Sequence, residues 1–166
     1  MLRKLSWLIL AGVALAGPRL ESEPFQWRGR VETGALVQVN GVRGDIRVEA
    51  ALGDEVEIIA RLRGEADEVG QVGVEVVEHS GGVTVCAVYP SENPNQPYQC
   101  RPPGRPQRRL GKTEISGDRA SLRFPDGSGG VVRWIEVRID FTVRVPAGVR
   151  FQGRTAEGEV MPIGSS

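Results

Sequence analysis

The chain has 166 residues with 21 basic and 21 acidic side chains, so its formal charge is zero. A balanced charge gives no electrostatic reason to expect nucleic acid or an anionic membrane as partner. Twenty-two glycines, eleven prolines and few aromatics argue against a helical bundle and for short strands joined by tight turns, within a length that suits one domain.

Residues 1–16 read as a signal peptide. Arg3 and Lys4 precede the apolar run from Leu5 to Ala16, and Ala14-Leu15-Ala16 supplies small residues at an exit site. The run holds about 12 residues, short of a comfortable bilayer span. Pro18 stands where a lipoprotein signal needs cysteine, so no lipid anchor is expected. Residues 17–24 are expected to form a disordered leader. The implied location is exported, either periplasm or cell surface. In such an oxidising compartment the only two cysteines, Cys86 and Cys100, are expected to pair. Closing their loop is worth roughly 3 kcal/mol by the chain-entropy estimate.

Residues 25–166 read as one β domain. Phe25 and Trp27 alternate with polar residues and open a first strand. From Leu36 to Leu62, short alternating runs are separated by corners at Asn40–Asp45 and Ala50–Asp54. Alternation places every second side chain on one face of a half-buried strand. Gly44 and Gly53, each followed by Asp, give these corners backbone freedom. Gly64 to Gly70 reads as a loop. Val72–Val76 and Val83–Tyr89 flank His79-Ser80-Gly81-Gly82 as a hairpin.

Residues 90–111 contain six prolines, which can neither donate to a ladder nor continue a helix. The length exceeds that of an ordinary connection. Its basic half, Arg101, Arg105, Arg108 and Arg109 with Lys112 just beyond, makes it a candidate partner-binding loop, since binding residues concentrate on loops held by rigid scaffolds. The plain alternative is a solvated loop. Ile115–Phe124 reads as one short strand, and Val131–Val145 as the longest strand. In the tail, Phe151 to Val160 echoes Val39 to Ile46, each placing Gly, an acid, then a β-branched residue in succession. Such repetition is a sign of stacked coils. The expected fold is therefore all-β, a β-solenoid-like or meandering β-repeat domain of short strands, truncated at its C-terminus as a further coil begins.

Catalytic patterns are weak. Leu110-Gly111-Lys112-Thr113 has the end of a phosphate loop, but Pro106 occupies the position of its first glycine. Asp126-Gly127-Ser128-Gly129-Gly130 has one acid where a calcium loop needs several. The single histidine, His79, lies in a Gly-rich turn and is expected to be exposed, whereas a Ser or Cys nucleophile usually needs a His base. Asp140 is expected to pair on the surface with Arg138 and Arg144. No catalytic residue, cofactor or metal is expected.

Four stretches occur in a particular order: Phe25-x-Trp27-x-Gly29, Val39-x-Gly41-x-x-Gly44-Asp45-Ile46-x-Val48, Gly82-Val83-Thr84-Val85-Cys86-x-Val88-Tyr89-Pro90, and Phe141-x-Val143-x-Val145-Pro146-Ala147-Gly148. In order and spacing the chain from Phe25 to Val160 resembles a family of exported bacterial β-strand-repeat, adhesin-like domains of largely unknown function. The resemblance implies an envelope or surface protein and brings no catalytic residues. In that family further Gly-x-Val coils follow the Val-Pro-Ala-Gly segment, and here about one begins. The expected function is non-enzymatic binding of an envelope protein or surface polymer, with self-association through the C-terminal edge as a further expectation. The alternatives are a periplasmic structural or sensory module in envelope stress and, third, a polysaccharide-active enzyme.

Overall fold

Alternating strands pair into three sheets in the computed structural model, which describes residues 23–93, 95, 97–104, 114–117, 119–124 and 128–162. The expected signal peptide, most of the leader, and Arg105, Arg108, Arg109 and Lys112 lie outside the described residues. The first sheet runs β1 (Phe25–Arg30), β4 (Glu55–Arg63), β10 (Arg138–Val145), β3 (Ile46–Ala50), β12 (Val160–Met161). The second runs β11 (Arg150–Arg154), β2 (Leu36–Asn40), β6 (Gly82–Val88), β5 (Gly73–His79). The third is β7 (Glu114–Ser116), β8 (Arg119–Arg123), β9 (Gly129–Arg133). The fold is nearly all β, and none of the sheets closes into a barrel.

The alternation in sequence becomes a division of faces. On β4 and β10, Val56, Ile58, Ala60, Ile139, Phe141 and Val143 are buried. Together with Ile46 and Val48 of β3, and Val37, Val39, Val83 and Val85 of the second sheet, they form one core cluster. Burying a side chain of this size contributes about 1.5–3 kcal/mol. The strands β2 and β6 are buried on both faces, because Gln38, Asn40, Thr84 and Cys86 are also fully buried. Buried polar groups need partners: Gln38 Nε2 donates to Asn40 Oδ1 at 3.4 Å, and Asn40 Nδ2 to Cys86 Sγ at 3.8 Å.

Three strand pairs share one parallel arrangement. β6, β2 and β11 lie side by side in the second sheet, and β10, β3 and β12 in the first. Each pair is therefore a layer: β6 with β10, β2 with β3, β11 with β12. The connection is residues 41–45 in the middle layer and 155–159 in the last. In the first it is the long excursion 89–137, which carries the third sheet. The same bonds recur between successive layers. Ile139 N donates to Arg43 O and Phe141 N to Asp45 O; one layer on, Gly44 N donates to Glu157 O and Ile46 N to Glu159 O. Asp140 Oδ1 accepts from Asp45 N at 3.0 Å, and Asp45 Oδ1 accepts from Glu159 N at 2.9 Å. Gly44 and Gly158 both have positive φ. A Cβ at Gly44 would collide with Ile139 O, and one at Gly158 with Gly44 O. Each corner thus needs glycine for its conformation and for the carbonyl of the layer before it.

Four expectations are corrected. Within Gly64–Gly70, Ala66–Val69 forms a single helical turn (α1), because Glu65 O accepts from both Glu68 N and Val69 N. Val131–Val145 is not one strand: β9 ends at Arg133 and β10 starts at Arg138. Between them the carbonyls of Ile135 and Val137 are taken by the side chains of Arg43 and Tyr89. Ile115–Phe124 is split by a turn with positive φ at Gly117, giving the hairpin β7–β8. The longest strand is β4, with 9 residues. The expected hairpin at His79–Gly82 is present as β5–β6.

Candidate interaction surfaces

The disulfide is formed. Cys86 on β6 and Cys100 are bonded with Cα atoms 5.8 Å apart, within the ordinary range for the bridge. The bond ties the Pro-rich segment to a fully buried strand position. Beyond it, Gln99 forms a β-bridge with Gly129 and Ser91 with Val132, so the segment runs against the third sheet. Tyr98 is buried there. Arg101 is exposed, but its backbone is held by Ser128, whose Oγ accepts from Arg101 N at 2.9 Å. Its guanidinium bonds Gln99. A cleft of about 390 Å³ lies alongside, lined among others by Asn95, Pro97, Ser121 and Arg123. Of the five basic residues of the candidate loop, Arg101 is thus placed, and the other four lie outside the described residues.

Arg43, which the sequence reading passed over, occupies the corner where the layers meet. Its side chain is 11% exposed. Nη1 donates to Ile135 O at 3.0 Å and lies 3.0 Å from Glu136. Nε sits 3.1 Å from Glu157 Oε2, close enough for charge attraction but misaligned for a hydrogen bond. The guanidinium also stacks over Trp134, 4.8 Å from the ring centroid. Burial opposes its charge, and the Glu136 hydrogen bond and Glu157 charge outweigh that, so its pKa is raised. The same contact holds Glu136 below the ordinary carboxylate value, first through the hydrogen bond and then through charge. Nearby, burial pushes the Tyr89 phenol upward; its hydroxyl donates to Val137 O at 2.6 Å.

The outward face of the first sheet is a lattice of alternating charges. Glu57 is bonded by Arg144 and Arg28, which lower its pKa in that order. Arg144 also reaches Glu49 at 3.0 Å, Arg63 reaches Asp140 at 3.6 Å, and Arg138 reaches Asp45 at 3.6 Å. Asp140 therefore pairs with Arg63 and with the Asp45 amide, not with the expected Arg138 and Arg144. Pairs of this kind that stay in contact with water add little stability, and Arg47 and Arg61 on the same face have no ion-pair partner among the described residues. At its end an open groove of about 650 Å³ lies beneath the turn Ala50–Asp54, whose Leu52 is fully exposed.

His79 is the other corrected placement. It ends β5, half-buried, with Nε2 3.2 Å from Thr84 Oγ1 and Nδ1 accepting from Gly81 N at 3.2 Å. Burial lowers its pKa. It borders a crevice of about 310 Å³ with Trp27 and Glu78, which are hydrogen-bonded to each other at 3.3 Å. Both ring nitrogens of His79 already have partners, and Thr84 is fully buried. The arrangement positions a turn, and the exposed Ser80 lines the same crevice. Among the described residues no group of three His, Cys, Asp or Glu side chains could hold a metal ion. Comparison with protein-family models, curated proteins and solved structures gives no match.

Proposed function

We propose that this chain is a non-enzymatic exported domain of the cell envelope, adhesin-like, which binds an envelope protein or surface polymer from a β-solenoid-like scaffold. The observation that carries the reading is the repetition of one corner. The same backbone bonds, the same carboxylate-to-amide contact and the same glycine requirement occur between the first and second layers and between the second and third. Stacked layers of this type form a stiff scaffold, and stiff scaffolds present binding loops and faces. The disulfide-tied segment and the paired charges of the first sheet are surfaces of that kind. The disulfide accords with an oxidising compartment.

Protease shaving of intact cells, fractionation and immunoblotting test this reading. The expected result is loss of the band on intact cells, together with binding of the purified domain to cells or wall material above background. Protection until the outer envelope is opened would favour the periplasmic structural or sensory reading. Retention in the cytoplasm would contradict both.

A further inference from the structure

The last layer, Arg150–Met161, repeats the middle one at a constant register. Arg150 pairs with Leu36, Arg154 with Asn40, Glu157 with Arg43 and Val160 with Ile46. Its backbone groups divide between two sides. Arg150 N donates to Ala35 O, and Arg154 O accepts from Gly41 N. Alternation along the strand then directs the N–H and C=O groups of Phe151 and Gly153 away from β2. At the corner, Glu157 O accepts from Gly44 N, and Glu157 N donates to Val42 O, so Gly158 and Val160 face outward as well. These outward positions are the register equivalents of Val37, Val39, Gly44 and Ile46, the set with which the middle layer receives the last one. Among the described residues no strand pairs with this edge.

The side chains on this edge match that backbone template. Ile46 is fully buried, while its equivalent Val160 is 40% exposed. Phe151, at the position of the buried Val37, is only half-buried. Asp45 gives its carboxylate to the Glu159 amide, whereas Glu159 is exposed and its side chain has no partner among the described residues. Glu157 is 44% exposed and balances Arg43 from one side only. An edge that carries Phe151 and Val160 and whose outward amides have no partner among the described residues is a site for strand addition.

We propose that this edge accepts in trans a strand–corner–strand segment of a partner protein. The segment would run parallel to Arg150–Met161 and follow the pattern of Leu36–Ala50. It carries alternate apolar residues facing the core column and a cation over Glu157. Next comes glycine over the Gly158 carbonyl, and then a free amide for the Glu159 carboxylate. Charge opposes self-pairing as the occupant. Antiparallel pairing of β11 with its own copy over the full strand, centred on Gln152, sets Arg150 opposite Arg154 twice, and directly opposed like charges are unfavourable. The proposal rests on the stacked-layer reading of the scaffold and not on the envelope location. Failure of one experiment therefore leaves the other standing.

A labelled synthetic peptide spanning residues 35–51 of this chain is the probe, tested against the intact folded chain. The expected result is saturable binding that slows exchange of the Phe151, Gly153, Gly158 and Val160 amides. Gly44→Val in the peptide is expected to abolish binding, and Arg43→Glu in the peptide to weaken it at least tenfold. Val160→Lys in the protein, at an exposed position, is expected to weaken binding while leaving the melting temperature unchanged. Absence of binding, equal binding of the Gly44→Val peptide, or protection centred on β1 or β5 would overturn the proposal. So would edge amides already protected in the chain alone, or a homodimer formed through β11.

Discussion

At the scale of single residues, Arg43 carries more than its place on a corner suggests. It joins the middle layer to Glu157 of the last layer and to the Ile135 carbonyl and Glu136 in the excursion from the first. Hydrogen bonds to charged groups contribute about 1.5–3 kcal/mol each way they are removed. Arg43→Met is therefore expected to cost roughly that much, read as a lower urea midpoint at unchanged slope. Arg43→Lys should recover only part, since an ammonium cannot reproduce the planar fork that meets a carbonyl and two carboxylates. An unchanged midpoint for Arg43→Met would contradict this role. Gly44 was legible in the sequence as a corner, because glycine followed by an acid and a β-branched residue recurs at Gly158. Arg43 was not, because its partners lie 92 and 114 residues away. An arginine in a turn otherwise looks like any solvated charge.

At the scale of elements, alternation predicted best where both cross-strand neighbours are regular. The hairpin β5–β6 and the strands β1 to β4 follow the sequence pattern closely. It failed at 134–137, where Trp134, Ile135 and Val137 continue the apolar rhythm. There the carbonyls bond side chains rather than a neighbouring strand. The tail echo identified the matching corner, with Gly158, Glu159 and Val160 on Gly44, Asp45 and Ile46. The start of the echo is corrected: Phe151, matched in sequence to Val39, lies beside Val37, and Gly153 lies beside Val39. The cysteine pair was legible from count alone, since Cys86 and Cys100 are the only two in the sequence. Its removal makes an element-scale prediction. Cys100→Ser is expected to lower stability by about 3 kcal/mol and to increase proteolysis within residues 90–104, measured by thermal melting and limited digestion. Equal melting with and without reductant would contradict it.

At the scale of the molecule, the long excursion between β6 and β10 is an insertion into the corner of a layer whose counterparts need only five residues there (41–45 and 155–159). The layers and β4 share one core with residues of the excursion, among them Tyr89, Leu122, Phe124 and Val132, and the excursion also supplies the third sheet and the disulfide-tied segment. The all-β class was readable from composition and alternation. The parallel order of the layers was hinted at only by the repeated corner, because pairing partners far apart in sequence leave no local mark. The binding reading draws its strength from this organisation. A scaffold that holds its irregular segment by a covalent bond is suited to presenting surfaces. Residue-resolved amide hydrogen exchange on the free chain tests the stacked-layer account most directly. The account predicts strong protection at Gly44, Ile46 and Glu157, whose amides bond between layers, and rapid exchange at Phe151, Gly153, Gly158 and Val160 on the open edge. Rapid exchange at Gly44, Ile46 and Glu157 would contradict it.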